Sequence, residues 1–197
     1  MKVVLAPGCL QVFLHKQRSD GMRLRRFTDL MHSIDDSIRV EMPAAEKFER
    51  SIQDAALIVS PTRLKRLPYD DAELDAIEHF LHRPGCSGHL LILSNHMPHM
   101  IQDSRLACRF GFTFSHSTFG GVDRKRNVVL TRTPSEPHWT TQAGTSASRS
   151  LRIEIRNCCS ILPCSSEGEV LYYLNPDMVD RGDNYPEPRS KIFGYII

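Results

Sequence analysis

DAALIVSP, residues 54–61, and HLLILS, residues 89–94, are the two stretches that decide the fold of this chain. Both are continuous apolar runs rather than alternating ones, which is typical of strands covered on both faces. Between them, apolar residues recur at helical spacing up to Leu81, with Asp70 or Asp71 at the N-cap position and Pro84-Gly85 after the end. A strand, a helix and a second strand in this order predict a right-handed crossover in a parallel sheet.

Strands and helices continue to alternate on both sides of this strand-helix-strand unit. Residues 2–6 form a short β-branched strand that ends at Pro7-Gly8, residues 24–34 an amphipathic helix, and residues 101–107 another helix. Strands are expected at 39–41, 127–130, 151–155 and 170–174, with a helix or strand at 192–197. The sequence therefore predicts an α/β protein, with three α/β/α layers around a mostly parallel central sheet, built as a single domain over residues 1–197.

Composition narrows the classes of partner. A net charge of +2 over 197 residues, without a basic tail, argues against a dedicated nucleic-acid binder. No apolar run approaches the roughly 18 residues of a membrane span, and no secretory signal is recognised. We therefore expect a soluble, cytoplasmic protein whose six cysteines are reduced thiols, with no nucleic-acid or membrane partner. The partner that we expect is an unknown small molecule or another protein, with a homodimer of this chain as a further alternative.

In an open parallel sheet, ligands bind beyond the carboxyl ends of the strands. The loops that follow the three predicted strands therefore form the expected ligand-binding rim. Its residues are Gly8, Cys9, Ser60, Thr62, Ser94, Asn95, His96 and His99.

We consider four interpretations of this rim: a serine nucleophile, a reactive cysteine, a metal site and a purely structural role. Ser94 with His96 or His99 would be a nucleophile and its base, and Cys9 would be a reactive thiol. In the structural reading, Ser94 or Asn95 caps the next helix. A metal site of His96, His99 and Asp103 is disfavoured because Pro98 interrupts the helical spacing. We expect no metal and no cofactor.

Several of these segments together resemble the class I glutamine amidotransferase-like superfamily. The resemblance extends over roughly residues 1–115. The features that carry it are the run 54–61, the acidic helix 73–81, the glycine turn at 85–88, the run 90–96, Leu106 and Phe110-Gly111-Phe112. They are most similar to the non-catalytic branch of uncharacterised and transport-associated domains. The resemblance implies a Rossmann-type, flavodoxin-like sheet.

The resemblance also bears on catalysis. Active members carry a cysteine on a sharp elbow after the strand that here ends near Leu93, flanked by small residues. Ser94 stands in that slot, with Ile92 and His96 in place of the small residues. The resemblance thus implies a domain without amidotransferase activity, acting as a small-molecule-binding or protein-interaction module. The alternative is an enzyme: a hydrolase using Ser94 with a nearby histidine, or a thiol enzyme using Cys9.

Overall fold

The structure is a computed structural model, which describes residues 1–8, 20–63, 67–85, 88–94, 100–115, 126–132, 150–155, 159–165, 168–174 and 192–196. The described residues divide into two compact units, one formed by residues 1–94 and 100–109 and the other by residues 110–196. That residues 1–197 make a single domain stays a prediction. No helix among the described residues is long and apolar enough to cross a membrane.

The first unit holds a four-stranded, wholly parallel sheet with the strand order β2-β1-β3-β4. Helices flank it, which confirms the predicted three-layer α/β architecture with a parallel central sheet. In chain order, its elements are β1 (Lys2–Leu5), α1 (Asp20–Ile34), β2 (Arg39–Glu41), a 3-10 turn (Ala45–Lys47), α2 (Phe48–Ile52), β3 (Leu57–Pro61), α3 (Asp71–Leu81), β4 (His89–Leu93) and α4 (Met100–Cys108). Neither the 3-10 turn nor α2 was predicted.

β3 owes its continuous apolar run to its central place in the sheet. Successive residues of a strand point to opposite faces. On one face, Val59 packs in a buried cluster with Val3 and Leu5 of β1, against Phe27 and Met31 of α1. The residues on the opposite face of β1 and β3, Val4 and Ile58, are also fully buried. Both faces of β3 are therefore covered, as the sequence predicted.

β4 differs from β3 although its sequence is equally apolar. It pairs with β3 and stands at the edge of the sheet among the described strands. Leu91 and Leu93 are 43% and 46% exposed. The expectation that this strand is covered on both faces was wrong, because an apolar run also occurs in an edge strand and does not by itself fix the place of a strand in the sheet.

α3 begins at a capping box that settles the choice between Asp70 and Asp71. The Asp70 carboxylate accepts a 2.7 Å hydrogen bond from the Glu73 backbone N–H, and Glu73 Oε2 accepts one of 3.1 Å from the Asp70 N–H. These two bonds satisfy amide groups that the first turn of a helix leaves without partners. Asp70 is the N-cap, and Glu73 is thereby held at a fixed place beside β3.

The second unit contains a six-stranded antiparallel sheet with the order β5-β8-β10-β9-β6-β7. Its strands are β5 (Phe112–Phe114), β6 (Arg126–Arg132), β7 (Ser150–Ile155), β8 (Ile161–Pro163), β9 (Glu169–Leu174) and β10 (Ile192–Ile196). The strands predicted at β6, β7 and β9 are confirmed, and the last segment is a strand rather than a helix. β8 and the antiparallel pairing were not predicted, since strand pairing is decided by contacts between distant segments.

Candidate functional site

The carboxyl ends of β1, β3 and β4 lie at one edge of the first sheet because the three strands are parallel. Gly8 follows β1, Thr62 and Arg63 follow β3, and Ser94 follows β4. The structure therefore brings part of the predicted rim to one place. The predicted rim residues Cys9, Asn95, His96 and His99 lie outside the described residues.

Two of the predicted rim residues make internal hydrogen bonds. Ser60 has no exposed surface, and its hydroxyl is hydrogen-bonded to the hydroxyl of Tyr69. The Thr62 hydroxyl donates a 3.2 Å bond to the Leu93 carbonyl and so joins the ends of β3 and β4. In this structure both side chains hold the edge of the sheet together, and their part in ligand binding stays a prediction.

Ser94, the residue in the nucleophile slot, is bonded to a buried carboxylate. Its hydroxyl donates a 2.7 Å hydrogen bond to Oδ2 of Asp103, and Oδ1 of Asp103 accepts a 3.0 Å bond from the Arg63 backbone N–H. Asp103 has no exposed surface, and burial raises its pKa to about 6 against the opposing effect of these two bonds. Asp103 was considered above as a metal ligand, but both of its oxygens accept hydrogen bonds from the protein.

Metal-binding chemistry finds no support in the part of the chain that the structure describes. No group of three histidine, cysteine, aspartate or glutamate side chains is placed there to hold an ion. Of the six cysteines, Cys108, Cys159 and Cys164 are described, and all three are thiols. That the cysteines are reduced stays a prediction.

Arg63 is the residue at this edge that the sequence analysis missed. Its side chain is only 7% exposed, and the guanidinium carbon lies 4.0 Å from the centre of the Tyr69 ring. Nη2 contacts the Glu73 carboxylate at 3.0 and 3.2 Å, and the Glu73 side chain is 9% exposed. Nε and Nη1 are also buried, and neither has a hydrogen-bond partner among the described residues. The available signal was an arginine two residues beyond a buried strand of a parallel sheet.

Gly8 lies directly against this guanidinium. It has φ +77°, a left-handed conformation that residues with a Cβ rarely adopt. A Cβ at this position would stand 2.7 Å from Arg63 Nε and 3.0 Å from the guanidinium carbon. The lack of a side chain at Gly8 is therefore what lets the end of β1 and the Arg63 head group approach each other.

A second concave region lies at the amino end of the sheet. It is an open hollow of about 510 Å³ whose lining includes Lys2, Glu41 and Asp54. The Lys2 ammonium lies 2.8 Å from both carboxylates. The charges of Lys2, Glu41 and Asp54 are thus paired with one another. The Arg63 guanidinium, in contrast, keeps donors without partners among the described residues.

Comparison with known proteins supports the fold and leaves the function open. No protein-family profile matches the chain, and no curated protein matches it in sequence. Among solved structures, the N-terminal domain of mmIFT52 superposes with a TM-score of 0.62 at 11% identity, over 88% of this chain and 72% of that chain. A putative ThuA-like protein from Bacteroides uniformis superposes with a TM-score of 0.59 at 16% identity, over 99% of this chain and 74% of that chain.

Identities this low establish the fold alone. The ThuA-like protein has a class I glutamine amidotransferase-like fold. The chain is therefore an α/β protein that shares this fold, in agreement with the resemblance found in its sequence.

Proposed function

We propose that this chain is a non-catalytic glutamine amidotransferase-like domain that binds a small molecule at the carboxyl edge of its parallel sheet. The observation that carries the proposal is the hydrogen bond from Ser94 to the buried Asp103 carboxylate. Folds of this class place their ligands beyond the strand ends, which is where Ser94, Thr62, Arg63 and Gly8 meet.

The structural role of the carboxylate to which Ser94 donates is what argues against nucleophilic catalysis. A serine becomes a nucleophile when a base takes its hydroxyl proton, and that base is usually an imidazole. The hydroxyl has one proton, and it is directed at Oδ2 of Asp103. Asp103 in turn accepts the Arg63 N–H, so this carboxylate serves to join β4, the loop after β3 and α4. Such an arrangement supports a structural role for Ser94.

The enzyme alternatives remain Ser94 with His96 or His99, and Cys9 as a thiol nucleophile. An ester such as p-nitrophenyl acetate, assayed with the wild type, Ser94→Ala and Cys9→Ser, separates them from the proposal. We expect the three proteins to hydrolyse it at the same background rate. In parallel, a library of small metabolite-like compounds should contain compounds that raise the melting temperature of the wild type. Hydrolysis that disappears in one variant would identify that residue as the nucleophile and contradict the proposal.

A second candidate function, protein interaction through β4, is favoured by the exposure of Leu91 and Leu93. Large apolar side chains on an edge strand are a common feature of surfaces that pair with another chain. The proposed partner in this case is a second copy of this chain. Sedimentation velocity would show a dimer that Leu93→Lys converts to a monomer. Leu30→Lys, at a leucine of α1 that is 56% exposed, should leave the dimer intact. A wild-type monomer at all concentrations would exclude this candidate.

A further inference from the structure

We infer that Arg63 is the residue that recognises the ligand of this site, and that the group it binds is a small oxyanion, a carboxylate or a phosphate. This inference rests on the proposed binding function and specifies its ligand chemistry. The guanidinium lies at the carboxyl edge of the sheet beside Gly8, with Nε and Nη1 without partners among the described residues.

The head group of Arg63 is held in place before any ligand arrives. The Tyr69 ring stacks against the guanidinium, and the Glu73 carboxylate forms an ion pair with Nη2. Glu73 is itself fixed by the Asp70 N–H of the capping box. A charged group positioned in this way loses little conformational entropy when it binds, which favours its use in recognition.

The partners that Arg63 has do not satisfy its hydrogen-bonding capacity. A guanidinium carries five N–H groups: two are on Nη2, and the other three are on Nε and Nη1. A buried donor without a partner costs about 1–3 kcal/mol. Glu73 balances the charge of Arg63 but leaves those three N–H groups. An oxyanion supplies several acceptor oxygens in one small group and is the ligand to which a guanidinium binds most strongly.

Arg83 provides a matched comparison within the same unit. It also lies over an aromatic ring, that of Phe80 at 5.3 Å, and its Nε is also buried without a partner among the described residues. Its Nη1, however, donates to the Gln53 carbonyl, and Arg83 follows the carboxyl end of α3 rather than a strand end. It therefore shares the chemistry of Arg63 but not its position at the carboxyl edge.

The test is a titration of the purified chain with inorganic phosphate and, separately, with sodium acetate, each at constant ionic strength maintained with sodium chloride. Isothermal titration calorimetry measures the affinity of the wild type, Arg63→Lys, Arg83→Lys and Glu73→Gln. We expect saturable binding of at least one anion, weakened about tenfold or more by Arg63→Lys. Arg83→Lys should leave it unchanged, and Glu73→Gln should strengthen it because a competing negative charge is lost. The anion that binds with the higher affinity indicates whether the natural ligand presents a phosphate or a carboxylate.

A measurement on the wild type alone guards against variants that do not fold. The arginine Nε–H resonances are followed by NMR during the same titrations. One of them should shift with the calorimetric affinity, and through-bond correlation from its Nε–H along the side chain to the Arg63 backbone amide assigns it in the wild type. An Nε–H signal of Arg63 that does not respond to either anion would overturn the inference, as would anion binding that Arg63→Lys leaves intact.

The two proposals fail in different ways. If compounds from the library stabilise the wild type and Arg63→Lys equally, Arg63 does not recognise the ligand, and the proposed binding function stands. If no small molecule of any charge binds, the proposed function fails together with the inference.

Discussion

The Ser94 hydroxyl and the Asp103 carboxylate are 2.7 Å apart, and this hydrogen bond ties the residue after β4 to the buried side of α4. The other oxygen of Asp103 holds the Arg63 backbone N–H at 3.0 Å. One buried carboxylate thus fixes both Ser94, in the nucleophile slot, and the backbone from which the Arg63 side chain extends. A change at Asp103 is therefore expected to affect the whole carboxyl edge.

The first prediction concerns the pH dependence of stability through Asp103. Its pKa is raised to about 6 in the folded chain by burial, so the folded state binds the proton more tightly than the unfolded state. The contribution of Asp103 is then most favourable below about pH 4 and falls as the pH rises to about 6, by about 3 kcal/mol. Asp103→Asn removes this dependence. Urea unfolding of both proteins between pH 4 and 7 should show the variant gaining stability relative to the wild type as the pH increases.

Other carboxylates titrate in the same range but do not affect this comparison, because they are present in both proteins. A difference in unfolding free energy that stays constant from pH 4 to 7 would show that Asp103 is not protonated near pH 6.

The second prediction separates two costs of adding a methyl group at a glycine. Gly85 has φ +73° with nothing within 4 Å of a built Cβ, so Gly85→Ala should cost only the backbone strain, about 1–2 kcal/mol. Gly8 has a similar φ, but its Cβ would stand 2.7 Å from Arg63 Nε. We expect Gly8→Ala to cost about 1–3 kcal/mol more in chemical denaturation. Equal losses would mean that the Arg63 head group moves aside without cost.

The third prediction tests the capping box at the start of α3. Asp70→Ala removes the acceptor of the Glu73 N–H and should lower the unfolding free energy by about 1 kcal/mol. Asp71→Ala, one position later, removes exposed ion pairs with Arg105 and Arg109 and should cost less than about 0.5 kcal/mol. Thermal or urea unfolding of the two variants provides the comparison. A larger loss for Asp71→Ala would contradict the assignment of Asp70 as the N-cap.

The fourth prediction concerns the ion pairs at the amino end of the sheet. The hydrogen bond from Lys2 lowers the pKa of Glu41, so this carboxylate contributes stability above its unfolded pKa and loses it as the pH falls. Glu41 is partly exposed, and Glu41→Gln should therefore cost less than about 1 kcal/mol at pH 7. At pH 3 the cost should be smaller still. Glu46→Gln, at an exposed glutamate of the 3-10 turn, serves as the control for the loss of one negative charge.

The sequence predicted more of the fold than of the candidate site. β1, β3 and α3 were predicted with nearly correct ends, because the hydrophobic pattern and the caps that define them lie within the segments themselves. Arg63 was missed for the opposite reason. Its burial, its contact with Tyr69 and the lack of partners for two of its nitrogens depend on residues from other elements.

The sequence by itself determined the succession of β3, α3 and β4, and with it the parallel sheet and the edge at which a ligand is expected. These follow from periodicity and chain connectivity, which are local and topological properties. Only the tertiary structure decided which side chains meet at that edge. Arg63 contacts Glu73 ten residues away, and its N–H bonds to Asp103 forty residues away. The register of the strands and the packing of α3 and α4 create these contacts, and no short-range pattern in the chain encodes them.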